Sequence, residues 1–160
     1  MRLASLVAWS EISEFRRSLK MSGSRVVVTN GCFDLLHVGH LRYLSGAREL
    51  GDFLWVAVNG DLSVRELKGP TRPLNTELDR AEILSALRMV DAVTIFPQVR
   101  ATEFLRLAQP DIYVKGGDYE IASLDPSERA VLEECGTEIR ILPQVPGKST
   151  TATIQKMAAG

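Results

Sequence analysis

Both histidines of this 160-residue chain stand in one short segment, Thr29-Asn30-Gly31-Cys32-Phe33-Asp34-Leu35-Leu36-His37-Val38-Gly39-His40. Arg25-Val26-Val27-Val28 before it is a β-branched run that reads as a buried strand. After it, Leu41, Leu44, Ala47 and Leu50 recur at helical spacing, and Gly51 closes the run. A His-x-Gly-His therefore sits where a strand hands over to a helix, the place where open α/β sheets bind ligands. A helix start offers free N–H groups and the positive end of a dipole, which suits phosphate. Two imidazoles three residues apart face the same way in a first helical turn. They can donate hydrogen bonds to a phosphate as charge builds in a transition state. Gly39 lets a ligand approach the backbone closely. Two other readings fit the same residues. One is a metal site with Cys32 as third ligand, which still needs a fourth ligand or an open position; the other is a purely structural helix start.

Three further groups can handle charge. Arg65, Lys68 and Arg72 fall in a Gly/Pro-containing stretch that reads as a loop after the second strand. Cations there suit phosphates, although solvated surface charges are the commoner fate. Lys115-Gly116-Gly117-Asp118 follows a short apolar strand. Glycines at a strand end permit close approach, and Asp118 suits a ribose hydroxyl; otherwise the pair of glycines is only a turn. Gly147-Lys148-Ser149-Thr150-Thr151 precedes a C-terminal helix, where Ser or Thr is ordinarily an N-cap. It is not a P-loop, because the upstream glycine spacing is missing.

The elements that position these groups alternate. A helix is expected over 11–21, capped by Ser10, and a strand over 25–29. The post-histidine helix runs to about residue 50, followed by an apolar central strand over 53–58. Thr76 caps a helix whose Leu78, Ala81, Ile83, Leu84 and Leu87 are expected to face the sheet. A strand over 92–96, a helix over 102–108 and a strand over 112–114 follow. Asp125-Pro126 opens a helix to about residue 134. The last strand spans 138–142 and the last helix 150–157. Five strands alternating with helices predict a Rossmann-like, doubly wound parallel α/β sheet. Residues 1–24 are expected as an N-terminal helical extension and 25–160 as the domain proper, with 21–24 as the one plausible linker.

Composition agrees with a small globular domain. Hydrophobic residues make up 45% and charged residues 24%, and the net charge of −1 provides no basic field for nucleic acid. Two cysteines in dissimilar settings make no disulfide framework. No run approaches the ~20 apolar residues of a membrane span, and no membrane partner is expected. A reduced, cytoplasmic compartment is the expectation.

The segment Gly31-Cys32-Phe33-Asp34-Leu35-Leu36-His37-Val38-Gly39-His40 resembles the G-x-F-D-x-x-H-x-G-H signature of the nucleotidyltransferase (HIGH) superfamily. Val56-Ala57-Val58-Asn59-Gly60-Asp61 resembles its second strand and loop. Lys68-Gly69-Pro70-Thr71-Arg72-Pro73-Leu74-Asn75 with Asp79-Arg80 resembles the substrate loop and following helix. Lys115-Gly116-Gly117-Asp118-Tyr119 and Gly147-Lys148-Ser149-Thr150-Thr151 complete the set in order. Over about 25–155 the chain is most similar to bacterial heptose-1-phosphate adenylyltransferases. Lys20-Met21-Ser22-Gly23-Ser24 resembles the K-M-S-K-S loop of class I aminoacyl-tRNA synthetases, but it precedes the histidines, whereas that loop follows them.

The resemblance implies an α/β/α sandwich that transfers AMP from ATP to a sugar 1-phosphate. His37 and His40 would be catalytic. Gly31, Cys32, Phe33, Gly39, Lys115, Gly116, Asp118, Lys148, Ser149, Thr150 and Thr151 would bind nucleotide. Asp34, Asn59, Lys68 and Arg72 would bind the substrate phosphate. Mg²⁺ would be held mainly by phosphates and water, with no protein metal site. A separate sugar kinase is implied upstream, and a homo-oligomer is compatible. A cytidylyltransferase of small phosphorylated alcohols and a non-catalytic nucleotide-binding protein are the alternatives. The arginine that marks the cytidylyl branch is replaced by Gln144, and 121–129 departs from the commonest heptose pattern.

Overall fold

Apolar runs at Val26–Gly31 (β2) and Phe53–Asn59 (β3) are buried along almost their whole length, as strands covered on both faces must be. The computed structural model describes residues 3–117, 120–143 and 145–159. The remaining elements, in chain order, are β1 (Ser5–Leu6), α1 (Ile12–Met21), α2 (Val38–Arg48), α3 (Asp61–Lys68), α4 (Glu77–Ser85), β4 (Ala92–Phe96), α5 (Thr102–Ala108), β5 (Ile112–Gly116), α6 (Pro126–Glu134), β6 (Glu138–Leu142) and α7 (Thr150–Ala158). The sheet order is β1-β4-β3-β2-β5-β6, and every pairing is parallel. Strand order runs outward in opposite directions from β2. The crevice beyond the carboxyl ends of β2 and β5 is thus the topological switch point.

The period-two alternation of β2 divides the core. Val26 and Val28 face a layer with Ile12, Phe104, Leu105 and Leu132 from α1, α5 and α6. Val27 faces the other layer, with Leu44 and Ala47 of α2 and Ala81 and Leu84 of α4. The doubly wound parallel α/β sheet expected from the alternation is present. Among the described residues it has six strands rather than five. The extra one, β1, has two residues, which pair with Ala92 and Val93 at the sheet edge. Too short to carry a pattern, it is fixed by tertiary pairing. Val7 and Ile12, within the segment expected as an extension, are buried in the core.

Other local expectations change. A 3-10 turn at Trp9–Glu11 precedes α1, so Ser10 is not its cap. Arg65 and Lys68 lie on helix α3 rather than a loop, with Val64 buried beneath. In α4, Thr76 caps as expected, accepting from the Asp79 N–H. Leu78 and Ile83 remain exposed, however, because Arg80, Ala81 and Leu84 occupy the inward stripe.

Arg80 itself is the principal tie at the carboxyl edge. Its side chain is 0% exposed. Nη1 donates to the carbonyls of Cys32 and Asn59, each at 2.7 Å, and Nε to the carbonyl of Asn75 at 3.0 Å. Nη2 pairs with Asp61 at 2.8 Å. One guanidinium thus joins the end of β3, the loop after β2, the start of α3 and the approach to α4. Removing it leaves buried carbonyls without a donor. We expect Arg80→Met to lose about 3–5 kcal/mol in urea unfolding. Arg80→Lys should recover only part, because one ammonium cannot span four acceptors in fixed directions. A loss below about 1 kcal/mol for Arg80→Met would contradict this role.

Candidate functional site

The carboxyl ends of β2, β3 and β5 open into a cleft of about 480 Å³. Gly31, Cys32, Phe33 and Asp34 after β2, and His37, Gly39 and His40 at the start of α2, form one wall. Asn59, Lys68 and Arg72 form a second. Lys115 and Gly116 of β5 with Lys148, Ser149, Thr150 and Thr151 at the start of α7 close it. Arg65 is not among its walls, and Asp118 lies outside the described residues.

His37 is the N-cap of α2, with extended backbone. Its Nδ1 accepts from the Gly39 N–H at 3.1 Å, and the His37 N–H donates to His40 Nδ1 at 3.3 Å. Each Nδ1 is therefore an acceptor, which leaves the proton of each neutral ring on Nε2. The rings lie 4.0 Å apart between centroids. Burial pushes His40 down to about 4, and the neighbouring His37 adds to it. Burial also lowers His37, followed by the charge of Lys148. At neutral pH the pair thus presents two uncharged Nε2–H donors.

Their positions are built from neighbours. A Cβ on Gly39 would lie 2.8 Å from two atoms of the His37 ring and 3.4 Å from the Lys148 Cβ. Any side chain there would displace the His37 ring. Phe33, in the left-handed region at φ 48°, sets its ring 5.6 Å from that of His40. Tyr43 of α2 is partly buried; its hydroxyl donates to the Val114 carbonyl at 2.8 Å and pairs with Thr29 at 2.5 Å. Its ring would lie 2.9 Å from a Cβ on Gly116, so the glycine allows α2 to seat against β5.

Ser149 caps α7, accepting from the Ala152 N–H at 3.0 Å, which leaves its hydroxyl proton free to donate. The Thr150 hydroxyl donates to the Leu35 carbonyl at 3.0 Å, tying α7 to the loop before α2. What Thr150 offers a ligand is then its backbone N–H. Two helix N-termini and the Lys148 ammonium converge on one end of the cleft, an arrangement that can hold a polyphosphate.

Asp34 acts differently from a ligand for phosphate. Its carboxylate, buried in the wall, takes Arg72 Nε at 2.6 Å and the N–H groups of Leu74 and Asn75 at 2.8 and 3.0 Å. Burial pushes this carboxyl up, but the two backbone N–H donors and Arg72 outweigh it and hold it below its usual range. Asp34 therefore positions Arg72 and its loop. Asn59 is also committed, its amide donating to Ser63 and to the Val99 carbonyl. Burial raises the Cys32 thiol above its usual value, against Lys68, Arg80 and Arg72. Among the described residues, no cluster of three His, Cys, Asp or Glu is placed to hold a metal ion.

Asn30, Tyr43, Val99, Arg100 and Glu128 also line the cleft and were not singled out from sequence. Glu128 had a misleading signal: Asp125-x-x-Glu128 reads as an N-terminal capping pair. Nothing in the sequence places Arg100 there.

A cytidylyltransferase-like family model matches residues 28–155. The chain is 45% identical over 149 residues to a protein named Bifunctional protein HldE from Nitratiruptor sp., covering 93% of this chain and 31% of that one. It is 46% identical over 153 residues to Bifunctional protein HldE of Koribacter versatilis, covering 96% and 31%. The chain thus spans about a third of the length of these relatives. The crystal structure of a lipopolysaccharide core biosynthesis protein from Thermoplasma volcanium superposes with a TM-score of 0.63 at 28% identity, covering 77% of this chain and 98% of that one. No helix among the described residues is long and apolar enough to cross a membrane. The paired imidazoles at the switch point and the match over most of the chain agree with the motif resemblance: the chain belongs to the cytidylyltransferase-like family.

Proposed function

We propose that this domain transfers AMP from ATP to a sugar 1-phosphate, D-glycero-β-D-manno-heptose 1-phosphate above all, releasing pyrophosphate. The observation that carries the reading is the pair of neutral Nε2–H imidazoles beside the N-termini of α2 and α7. An oxygen of the acceptor phosphate attacks the α-phosphorus of ATP, the bond to the bridging oxygen breaks, and pyrophosphate leaves. No protein nucleophile is required; positioning and charge stabilisation suffice. His37 and His40 donate to oxygens on which charge accumulates. Lys148, the Ser149 hydroxyl and the backbone N–H groups of α7 hold the β- and γ-phosphates. Lys68 and Arg72 suit the acceptor phosphate, with Asp34 fixing Arg72. Mg²⁺ accompanying the triphosphate would be held by phosphate oxygens and water, which fits a cleft whose acidic groups are dispersed. Adenine is favoured by the likeness to HldE proteins and by the match at 115–119. A kinase forming the sugar 1-phosphate must act before this step.

The direct test is pyrophosphate release with ATP, CTP and GTP crossed against a panel of sugar 1-phosphates and glycerol 3-phosphate. Turnover is expected with ATP and the heptose 1-phosphate. A clear preference for CTP with glycerol 3-phosphate would overturn the reading.

Within that reaction, His37→Ala and His40→Ala should each lower kcat by about 10²–10³, the loss typical of one oxyanion donor, with the circular dichroism unchanged. Ser149→Ala should weaken ATP binding more than AMP binding in calorimetric titration, because its hydroxyl proton is free to donate. Near-wild-type turnover in a folded histidine variant would contradict the assigned role.

A further inference from the structure

Glu128 is a carboxylate only 6% exposed, yet it lines the cleft. It is the third residue of α6, where an acid ordinarily reaches back to the N–H of its own N-cap. Asp125 caps α6 alone here, accepting from Ser127 and Glu128 N–H groups. Glu128 turns instead toward the loop after β4, and its Oε1 accepts from the Ala101 N–H at 2.8 Å. One N–H uses a fraction of what a carboxylate can accept. A neutral amide would serve that N–H equally well and would avoid burying a charge.

The surroundings of Glu128 differ from those of the histidines. Burial lowers both histidines, with Lys148 adding to the effect at His37 and His37 adding to it at His40. Lys115, whose ammonium burial pushes below its usual value, is acted on in the opposite direction chiefly by Glu128 and then by Cys32. Arg100, on the same stretch as Ala101, pairs with Asp125 at 3.2 Å and lines the cleft. The cleft therefore has a phosphate end, built from helix N-termini and imidazoles. Glu128 adds to the same cleft a buried carboxylate within electrostatic reach of the Lys115 ammonium. Carboxylates recognise vicinal hydroxyls by accepting their protons, whereas phosphates are repelled by them.

We propose that Glu128 is a specificity-determining residue that accepts hydrogen bonds from the hydroxyl groups of a polyhydroxylated acceptor, selecting a sugar phosphate over a simple alkyl phosphate. This rests on the adenylyl-transfer reading above and adds to it which group of the cleft reads the sugar.

The test compares wild type and Glu128→Gln, which keeps an oxygen for the Ala101 N–H. Acceptors are D-glycero-β-D-manno-heptose 1-phosphate, D-mannose 1-phosphate and methyl phosphate, with pyrophosphate release as readout. ATP affinity is measured by calorimetry and folding by thermal melting. The expected result is a rise of about tenfold to a hundredfold in KM for the preferred sugar phosphate, the loss of one hydrogen bond to a charged group. The advantage of that sugar over methyl phosphate should shrink by the same factor. ATP affinity should change by less than about twofold. If wild type turns over a sugar phosphate but Glu128→Gln leaves the acceptor ranking unchanged, or impairs sugar and methyl phosphate equally, Glu128 merely braces α5 against α6 and the assignment is overturned alone. If wild type turns over no sugar phosphate with any nucleotide, the adenylyl-transfer reading fails, and this assignment fails with it.

Discussion

A buried cation holds the carboxyl edge of this sheet together. Arg80 places one planar guanidinium among three backbone carbonyls and one carboxylate, with its own side chain shut off from water. In a low-dielectric setting each of these charge-assisted bonds is strong, and an unpaired member would be costly. The acceptors belong to the segment after β2, the end of β3, the start of α3 and the approach to α4. Their mutual positions are therefore coupled. Cys32, Asp34 and the histidine segment sit on the piece that Arg80 anchors, and Asp34 in turn collects Arg72 and the N–H groups of Leu74 and Asn75. Order passes from the sheet edge to Arg80, then to Asp34, and so to the cations around the cleft.

The other end of the cleft depends on close backbone approach. Gly39 allows the His37 ring to lie against α2, and Gly116 allows Tyr43 to reach β5. With α2 and α7 so placed, their free N–H groups face one volume. The histidines complete that volume as uncharged donors, because burial opposes a proton on either ring and their Nδ1 atoms are already occupied. Neutral donors hold charge that grows during reaction without binding the ground state more tightly than necessary.

Much of this was legible in the sequence, for physical reasons. The β-branched run of β2 and the apolar run of β3 announce central strands, and Thr76 and Asp125-Pro126 announce helix starts through local hydrogen bonding. The histidine segment combines scarce residue types with a glycine at a strand-to-helix junction. What escaped was set by tertiary contact. β1 has two residues and exists only because it pairs with β4. α3 begins at Gly60 without a side-chain cap, so its Gly/Pro-flanked cations read as loop. Leu78 was expected to face the sheet, but the stripe belongs to Arg80, whose charge disguises a buried position. Glu128 carries a capping pattern and makes its bond to the loop before α5 instead. Asp34, grouped from sequence with phosphate ligands, spends its carboxylate on a cation and two N–H groups.

The central claim is that both imidazoles are neutral donors through Nε2, and nitrogen-15 NMR of histidine-labelled protein across a pH series tests it most directly. The account predicts that at neutral pH both rings carry the proton on Nε2 and a bare Nδ1. His40 should remain neutral until the pH approaches about 4. A proton on Nδ1 of either ring, or titration of both near the unperturbed value of 6.5, would contradict it.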